Sequence, residues 1–360
     1  MIKRFKEISG PSFFIGQGGD GIISFGSGQP DLPPPKEIFR NLEDERLFKY
    51  GLIQGERKLR EALSKEYPNA SPENFVITNG ASEALDLTMR VLAKTPGPNR
   101  VLLGRPYYYS YPPIIKFAGM EPVYTDLEEG RINLADFRKK IGRVKAVLIN
   151  SPSNPTGRIE AIATLKEIEK ICRKAGVWII SDEVYKDLIY ERENYLLKGP
   201  HVITINSFSK TYAMCGLRVG YLWTPQRDFV QKIINMKVHT SMNTNILGQE
   251  MALAAMRAPR AYVEGQVKIW RARRDLIYGG LIQLGFKLWR PEGAFYVLPK
   301  IKNSNRAVNE LYYKYKVIVY DGAWFGAPGR IRLSYALDES KIKEGLKRIA
   351  KFLKGKESWL

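Results

Sequence analysis

Ala146-Val147-Leu148-Ile149-Asn150, followed at once by Ser151-Pro152-Ser153-Asn154-Pro155-Thr156-Gly157, is the stretch on which the fold turns. Four apolar residues closed by a polar one read as a strand buried on both faces. The two prolines and the glycine then make a rigid turn that aims an Asn amide out of the strand end. The same grammar recurs downstream. Residues 177–181 form a second apolar run, followed by Asp182-Glu183-Val184-Tyr185, and residues 202–206 a third, followed by Ser207-Phe208-Ser209-Lys210. On either side, β-prone segments lie at 74–78, 100–104, 122–126 and 219–223, with helix-like stretches at 82–93 and 165–174. Strands that alternate with helices predict an α/β domain on a mostly parallel central sheet. Ligands of such sheets sit outside the carboxyl ends of the strands.

After Gly248 the pattern changes. A long helical region, 247–284, contains Pro259 and is expected to break there. Short β-like runs follow at 286–289, 294–298, 317–320 and 331–335. These predict a smaller α+β domain, to which a Gly- and Pro-rich N-terminal arm adds a piece. The expected division is a large domain over 41–255, a connecting helix over 256–274, and a small domain from 1–40 and 275–360. A chain of 360 residues suits two domains at about 150 residues each.

Composition narrows the function classes. With 44% apolar residues the chain can bury a full core. Two cysteines and two histidines offer neither a disulfide framework nor a zinc site, so no metal is expected. The net charge of +20 is large, but the basic residues are scattered and no nucleic-acid module accompanies them. No nucleic-acid partner is expected. No run of 18 apolar residues occurs, and Met1-Ile2-Lys3-Arg4-Phe5-Lys6 is basic without an apolar run behind it. A cytoplasmic protein with no membrane partner is expected.

Two motifs invite other readings. Gly16-Gln17-Gly18-Gly19-Asp20-Gly21 matches a dinucleotide fingerprint, but no buried strand precedes it, and residues 22–27 read as a strand rather than a helix. Ser207-Phe208-Ser209-Lys210 matches the S-x-x-K of acyl-transferring serine enzymes, yet neither S-D-N nor K-T-G occurs.

Taken together, Asn154-Pro155-Thr156-Gly157, Asp182-x-x-Tyr185, and Ser207-x-Ser209-Lys210 with Arg218 eight residues on resemble the fold-type-I pyridoxal 5'-phosphate (PLP) aminotransferases of class I/II, in their aspartate/aromatic branch. The resemblance extends through Gly26-Ser27-Gly28, Tyr50-Gly51, Gly80-Ala81-Ser82, Pro106-Tyr107-Tyr108-Tyr109-Ser110-Tyr111-Pro112, Gly293-Ala294-Phe295-Tyr296 and Arg332-Leu333-Ser334-Tyr335. It implies PLP as cofactor, with Lys210 as the Schiff-base lysine and Asp182 paired to the ring nitrogen. Asn154 and Tyr185 would bond the ring oxygen, and Tyr108 would stack on the ring. Gly80, Ala81 and Ser82 at a helix start, with Ser207, Ser209 and Arg218, would hold the phosphate. Tyr50 of the partner subunit would reach the same phosphate in a homodimer with shared sites. Arg332 and the Gly28 N–H would hold the substrate carboxylate.

The implied reaction is transamination between an L-amino acid and a 2-oxo acid, 2-oxoglutarate being the expected acceptor. A C–S lyase or another reaction on the same fold is the alternative. Members that take dicarboxylic substrates carry a second cation for the distal carboxylate. Here the segment before the Gln-containing helix reads Lys237-Val238-His239-Thr240-Ser241-Met242-Asn243, without Arg. Lys237 or His239 is the only candidate substitute there. Tyr108, Tyr109 and Phe13 are expected to form an apolar wall suited to aromatic or neutral side chains.

Overall fold

The computed structural model describes residues 8–14, 19–39, 47, 49–191, 193–354 and 359–360. Residues 1–6, the Gly16-Gln17-Gly18 part of the dinucleotide-like motif, and the expected boundary at 40–41 lie outside them.

The chain opens with a short strand, β1 (Ile23–Ser24), and a helix, α1 (Arg57–Ser64). The main sheet then takes β2 (Phe75–Thr78), β3 (Arg100–Arg105), β4 (Glu121–Glu128), β5 (Arg131–Ile132), β6 (Ala146–Asn150), β7 (Trp178–Asp182), β8 (Val202–Ser207) and β9 (Gly220–Trp223). Their order across the sheet is β2-β9-β8-β7-β6-β3-β4-β5. The β4, β3, β6, β7 and β8 strands run parallel, and β9 is antiparallel to both its neighbours. All seven strands expected over this region form, and the sheet is mostly parallel.

Burial explains the apolar runs. Strands β2 and β8 are buried at every position, and β6 and β7 at all but one. Helices α2 (Gly80–Ala93), α3 (Tyr111–Phe117) and α7 (Arg227–Val238) contribute to one apolar cluster on the sheet, and α4 (Leu134–Lys140) and α5 (Ile162–Ala175) to another. Helix ends carry the residues that such ends require. The Asn133 side chain accepts the Ala135 and Asp136 N–H groups at the start of α4. Gly176 closes α5 in the left-handed region at φ 65°. Lys145 Nζ bonds the Leu92 and Thr95 carbonyls at 2.9 and 2.6 Å, placing a cation at the carboxyl end of α2.

The rest of the chain comprises α6 (Phe208–Thr211), α8 (Ile246–Ala255), α9 (Arg260–Gln283), α10 (Ser304–Tyr315) and α11 (Glu339–Lys354), with β10 (Tyr296–Val297), β11 (Val317–Ile318), β12 (Tyr320–Asp321) and β13 (Ile331–Ser334). The expected break at Pro259 is there: this residue is the N-cap of α9. The expected strand over 286–289 does not form, and residues 294–298 pair only at Tyr296 and Val297. The run 22–27 pairs only at Ile23–Ser24, with β11. Phe286 is nevertheless buried, so these apolar residues mark packing without a ladder. One core gathers Ile8, Phe14 and Phe25 with Trp270, Phe295, Leu333 and Phe352, joining the two ends of the chain.

Candidate active site

The sheet register lines up the expected residues before any side chain is considered. Asn150 lies beside Asp182, Ser207 beside Gly220, and Gly220 beside Thr78. Turns that leave these strand ends therefore open on one side. There a cavity of about 410 Å³ is lined by Lys210, Asp182, Asn154, Arg218, Arg332 and Tyr108. Gly28, Ala81, Ser82, Tyr185, Ser207 and Ser209 line it too.

Lys210 reaches the cavity because Ser207 both ends β8 and caps α6, its Oγ accepting the Ser209 N–H at 3.1 Å. The Lys210 ammonium donates to the Gly28 carbonyl at 2.7 Å. Among the described residues no carboxylate is in bonding contact with it. Burial pulls its pKa below the ordinary lysine value, with Arg218 and Arg332 adding to the fall against Cys215 and Asp182. A lowered pKa brings an amine nearer to its neutral, nucleophilic form. Ser207 Oγ lies 2.8 Å from Ser209 Oγ and 3.0 Å from the Val219 carbonyl. No bond to Lys210 activates it, and the serine-nucleophile reading fails on that geometry.

Asp182 is 4% exposed, and among the described residues it faces no formal cation in bonding contact. Burial pushes its carboxyl up to about 6, against the Tyr111 hydroxyl at 2.6 Å, the Val184 N–H at 3.2 Å and the charge on Lys210. A cationic N–H beside it would return it to the ionised form.

The anion end is made of backbone. Gly80 begins α2 at φ +75°, and a methyl group there would lie 2.4 Å from Arg218 Nη2. A methyl on Gly220 would meet the Gly80 carbonyl carbon at 2.6 Å and the Ala81 nitrogen at 2.7 Å. Both positions need glycine so that β9, the helix start and the guanidinium converge. Arg218 itself sits in the left-handed region at φ 54°, an arrangement that costs a non-glycine residue of order 1 kcal/mol and clusters at functional sites.

At the other end Arg332, on β13, is 2% exposed. Its guanidinium lies 4.6–4.8 Å from the ring centres of Tyr320, Phe325 and Tyr296. Nη1 donates to Asn154 Oδ1 at 3.3 Å and Nη2 to the Gly26 carbonyl at 2.5 Å, while Nε is buried without a partner among the described residues. Tyr185 and Tyr296 share a hydroxyl hydrogen bond of 2.8 Å. Burial, then Tyr296, raises the Tyr185 phenol well above its ordinary value.

Tyr50, expected at a partner subunit's site, lies outside its own chain's cavity and is 87% exposed. The Gly28 carbonyl accepts from Lys210, a contact that no motif disclosed, and Gly28 lines the cavity together with Arg332. Other expectations need correction. Phe13 packs edge-on against Phe14 and Tyr312, and Phe14 is the ring that stacks on Tyr320 of the cavity wall. Lys237 is fully buried and paired with Glu83, so it cannot hold a distal carboxylate. His239 is exposed and lies outside its own chain's cavity, as Tyr50 does; its segment, like Tyr50, is expected at a partner subunit's site. Tyr111, Tyr296, Tyr320, Asn150 and Cys215 line the cavity although sequence reasoning gave them no role. Tyr111 and Tyr296 stood inside quoted motifs. Tyr320 carried no local signal, because its place depends on pairing opposite Arg332.

The chain has relatives among known proteins. The family model described as aminotransferase class I and II matches residues 20–349. A probable aspartate/prephenate aminotransferase of Aquifex aeolicus is 33% identical over 92% of this chain and 91% of its own. The aromatic-amino-acid aminotransferase 2 of Thermococcus litoralis is 32% identical over 96% of this chain and 95% of its own. Among solved structures, the aspartate aminotransferase of Thermus thermophilus with maleate superposes with a TM-score of 0.89 at 30% identity, covering 95% of this chain and 94% of that one.

Proposed function

From a chain that belongs to the class I and II aminotransferases, we propose a PLP-dependent enzyme that moves the amino group of an L-amino acid to a 2-oxo acid, 2-oxoglutarate being the common acceptor. The observation that carries this reading is the set of three buried ionisable groups that face one cavity without an ion-pair partner. Among the described residues these are a buried amine without a carboxylate partner, a buried carboxyl without a cation, and a buried guanidinium with a free Nε.

PLP fits those groups. Lys210 would bond its aldehyde carbon, Asp182 would face its ring nitrogen, and Tyr108 would cover its ring. Asn154 and Tyr185 would bond its ring oxygen, and Gly80, Ala81, Ser82, Ser207, Ser209 and Arg218 would hold its phosphate. When bound, it supplies an electron-withdrawing ring that stabilises negative charge on the substrate Cα. The protein does the rest. Arg332 grips the α-carboxylate and so fixes which Cα bond faces Lys210. Lys210, lowered in pKa, would take that Cα proton and give it up within the same half-reaction to the carbon through which the cofactor is held, and would make the reverse transfer for the 2-oxo acid. A cation facing Asp182 would lower its raised pKa and hold it ionised over a wider pH range than in the empty site.

Tyr50, exposed on its own subunit, would complete the site of a partner subunit, which makes the working form a homodimer. The same reading places it in the cytoplasm. Mixing Lys210→Ala chains with Tyr50→Ala chains should restore activity in hybrids if the sites are shared. Active monomers by light scattering would contradict that assembly.

With Lys237 held by Glu83, Tyr109, Tyr296 and Tyr320 remain as the side-chain wall that this subunit supplies. We therefore assign aromatic and neutral amino acids as donors comparable with aspartate. The test is a panel of amino acids, each added to the loaded enzyme and followed by absorbance, then by 2-oxoglutarate. Product formed without an oxo-acid acceptor would indicate a lyase. A preference for aspartate over phenylalanine or tyrosine of about a thousandfold, roughly 4 kcal/mol, would contradict the donor assignment.

A further inference from the structure

Lys237, excluded as a substrate cation by its burial, has another place in the molecule. It lies in the last turn of α7 with its side chain at 0% exposure. Its ammonium bonds Glu83 Oε2 at 3.1 Å and Ser241 Oγ at 2.9 Å. Glu83 belongs to the first turn of α2, the helix whose start forms the anion end of the cavity. The carboxylate also accepts the Asn79 backbone N–H at 2.6 Å and the Asn79 side chain at 3.2 Å. Burial raises the Glu83 pKa, but bonds from Ser241, the Asn79 N–H and Lys237 outweigh it and keep the carboxylate ionised.

That ionised group creates a conflict. A carboxylate in the first turn of a helix stabilises the helix, since it complements the positive end of the dipole. The same helix start is wanted by a phosphate dianion. Two anions at one helix terminus repel each other, and in a poorly solvated site that repulsion is weakly screened. Lys237 neutralises one of them. Its backbone also anchors the turn after α7: the N–H groups of Thr240, Ser241 and Met242 all return to the Lys237 carbonyl, at 3.1, 3.1 and 2.9 Å.

We propose that Lys237 is a positioning residue for the anion end of the cavity, cancelling the Glu83 charge so that the start of α2 remains open to a dianionic phosphate. This rests on the PLP reading above and adds the residue on which its phosphate affinity depends. Lys237 touches neither cofactor nor substrate, and it acts through Glu83 and Asn79.

The test compares two ligands that differ only in the phosphate. The full-length chain, stripped of cofactor, is titrated with PLP and with pyridoxal, by absorbance. Lys237→Met should lose about tenfold or more in PLP affinity and less than about twofold in pyridoxal affinity. Lys237→Met/Glu83→Gln, which removes both charges, should recover PLP affinity to within about threefold of the unaltered chain. If Lys237→Met does not fold, Glu83→Gln alone decides, because removing the competing anion should leave the PLP advantage over pyridoxal equal or larger. Equal losses for both ligands, no loss for either, or a smaller PLP advantage in Glu83→Gln would overturn the inference while leaving the function intact. An unaltered chain that takes up neither ligand would overturn the functional reading, and this inference with it.

Discussion

At the anion end of the cavity, Gly80, Ser207 and Gly220 come from three adjacent strands and the turns that leave them, and sheet register alone sets them side by side. At the carboxylate end, Arg332 bonds Asn154 across 178 positions of sequence and Gly26 across 306. The first end is held by backbone ladders. The second exists only where the core that joins the two chain ends meets the main sheet. The backbone shape of the anion end should therefore survive side-chain changes, although its phosphate affinity depends on the charges of Arg218, Glu83 and Lys237, whereas the carboxylate end depends on single side chains for its geometry.

The largest effect is expected at the residue that belongs to both. Lys210 is rooted at the end of β8 and reaches Gly28. Lys210→Ala should lower amino-acid turnover by about 10⁴-fold, the upper range for a lost acid–base group. Exogenous PLP binding at the anion end should survive it. If PLP affinity collapses as well, the ends are not separable.

Arg332→Ala comes next. Truncating one partner of a buried charge pair costs roughly 2–5 kcal/mol, read as a fall in kcat/KM. The loss should be alike for aspartate, phenylalanine and alanine, because all present the same α-carboxylate. A loss confined to one donor would place Arg332 at the side chain instead.

Asp182, between the ends, should show a trade of stability against function. Its carboxyl is raised from 3.8 to about 6 in the cofactor-free fold. Below about pH 4 the folded and unfolded chains both hold the proton, so nothing is lost. Between the two values the unfolded chain ionises first, and stability falls as pH rises. Above about 6 the loss is complete, on the order of 2–3 kcal/mol. Asp182→Asn escapes this, so the cofactor-free variant should be the more stable chain at about pH 8 and no more stable near pH 4, by denaturant unfolding. Equal stability at the higher pH would mean that Asp182 is not strained by burial. The same variant should transaminate poorly.

The smallest change is Tyr296→Phe. It removes one hydroxyl from the Tyr185 pair and should cost about 1 kcal/mol of stability. Its kcat/KM should fall less than about tenfold. A loss as large as that of Arg332→Ala would move Tyr296 from the cavity wall into the carboxylate grip.

The contrast between the ends also marks what the amino-acid sequence discloses. The strands of the main sheet and the residues after them are local facts: an apolar run and its Asp182, Asn154 or Ser207 are neighbours in the chain. Residues 286–289 do not form a strand because an apolar stretch records burial, and Phe286 is buried without a ladder. Lys237 misled for a related reason. A lysine in sequence carries no mark of whether its charge is free, and its pairing with Glu83 depends on how α7 lies on α2. Tyr111, the hydrogen-bond donor to Asp182, stood within a run of tyrosines whose separate roles only the packing distinguishes. Tyr320 joined the cavity wall through strand pairing and Phe14 backs it by stacking, neither of which leaves a motif.

The central claim is that Lys210 is the amine that bonds the cofactor. The purified protein supplied with PLP should be treated with borohydride, digested, and its peptides weighed. A pyridoxyl group on the peptide containing Lys210, absent from the Lys210→Ala chain treated in the same way, is the predicted result. A label on any other lysine, or none after PLP is supplied, would contradict the account.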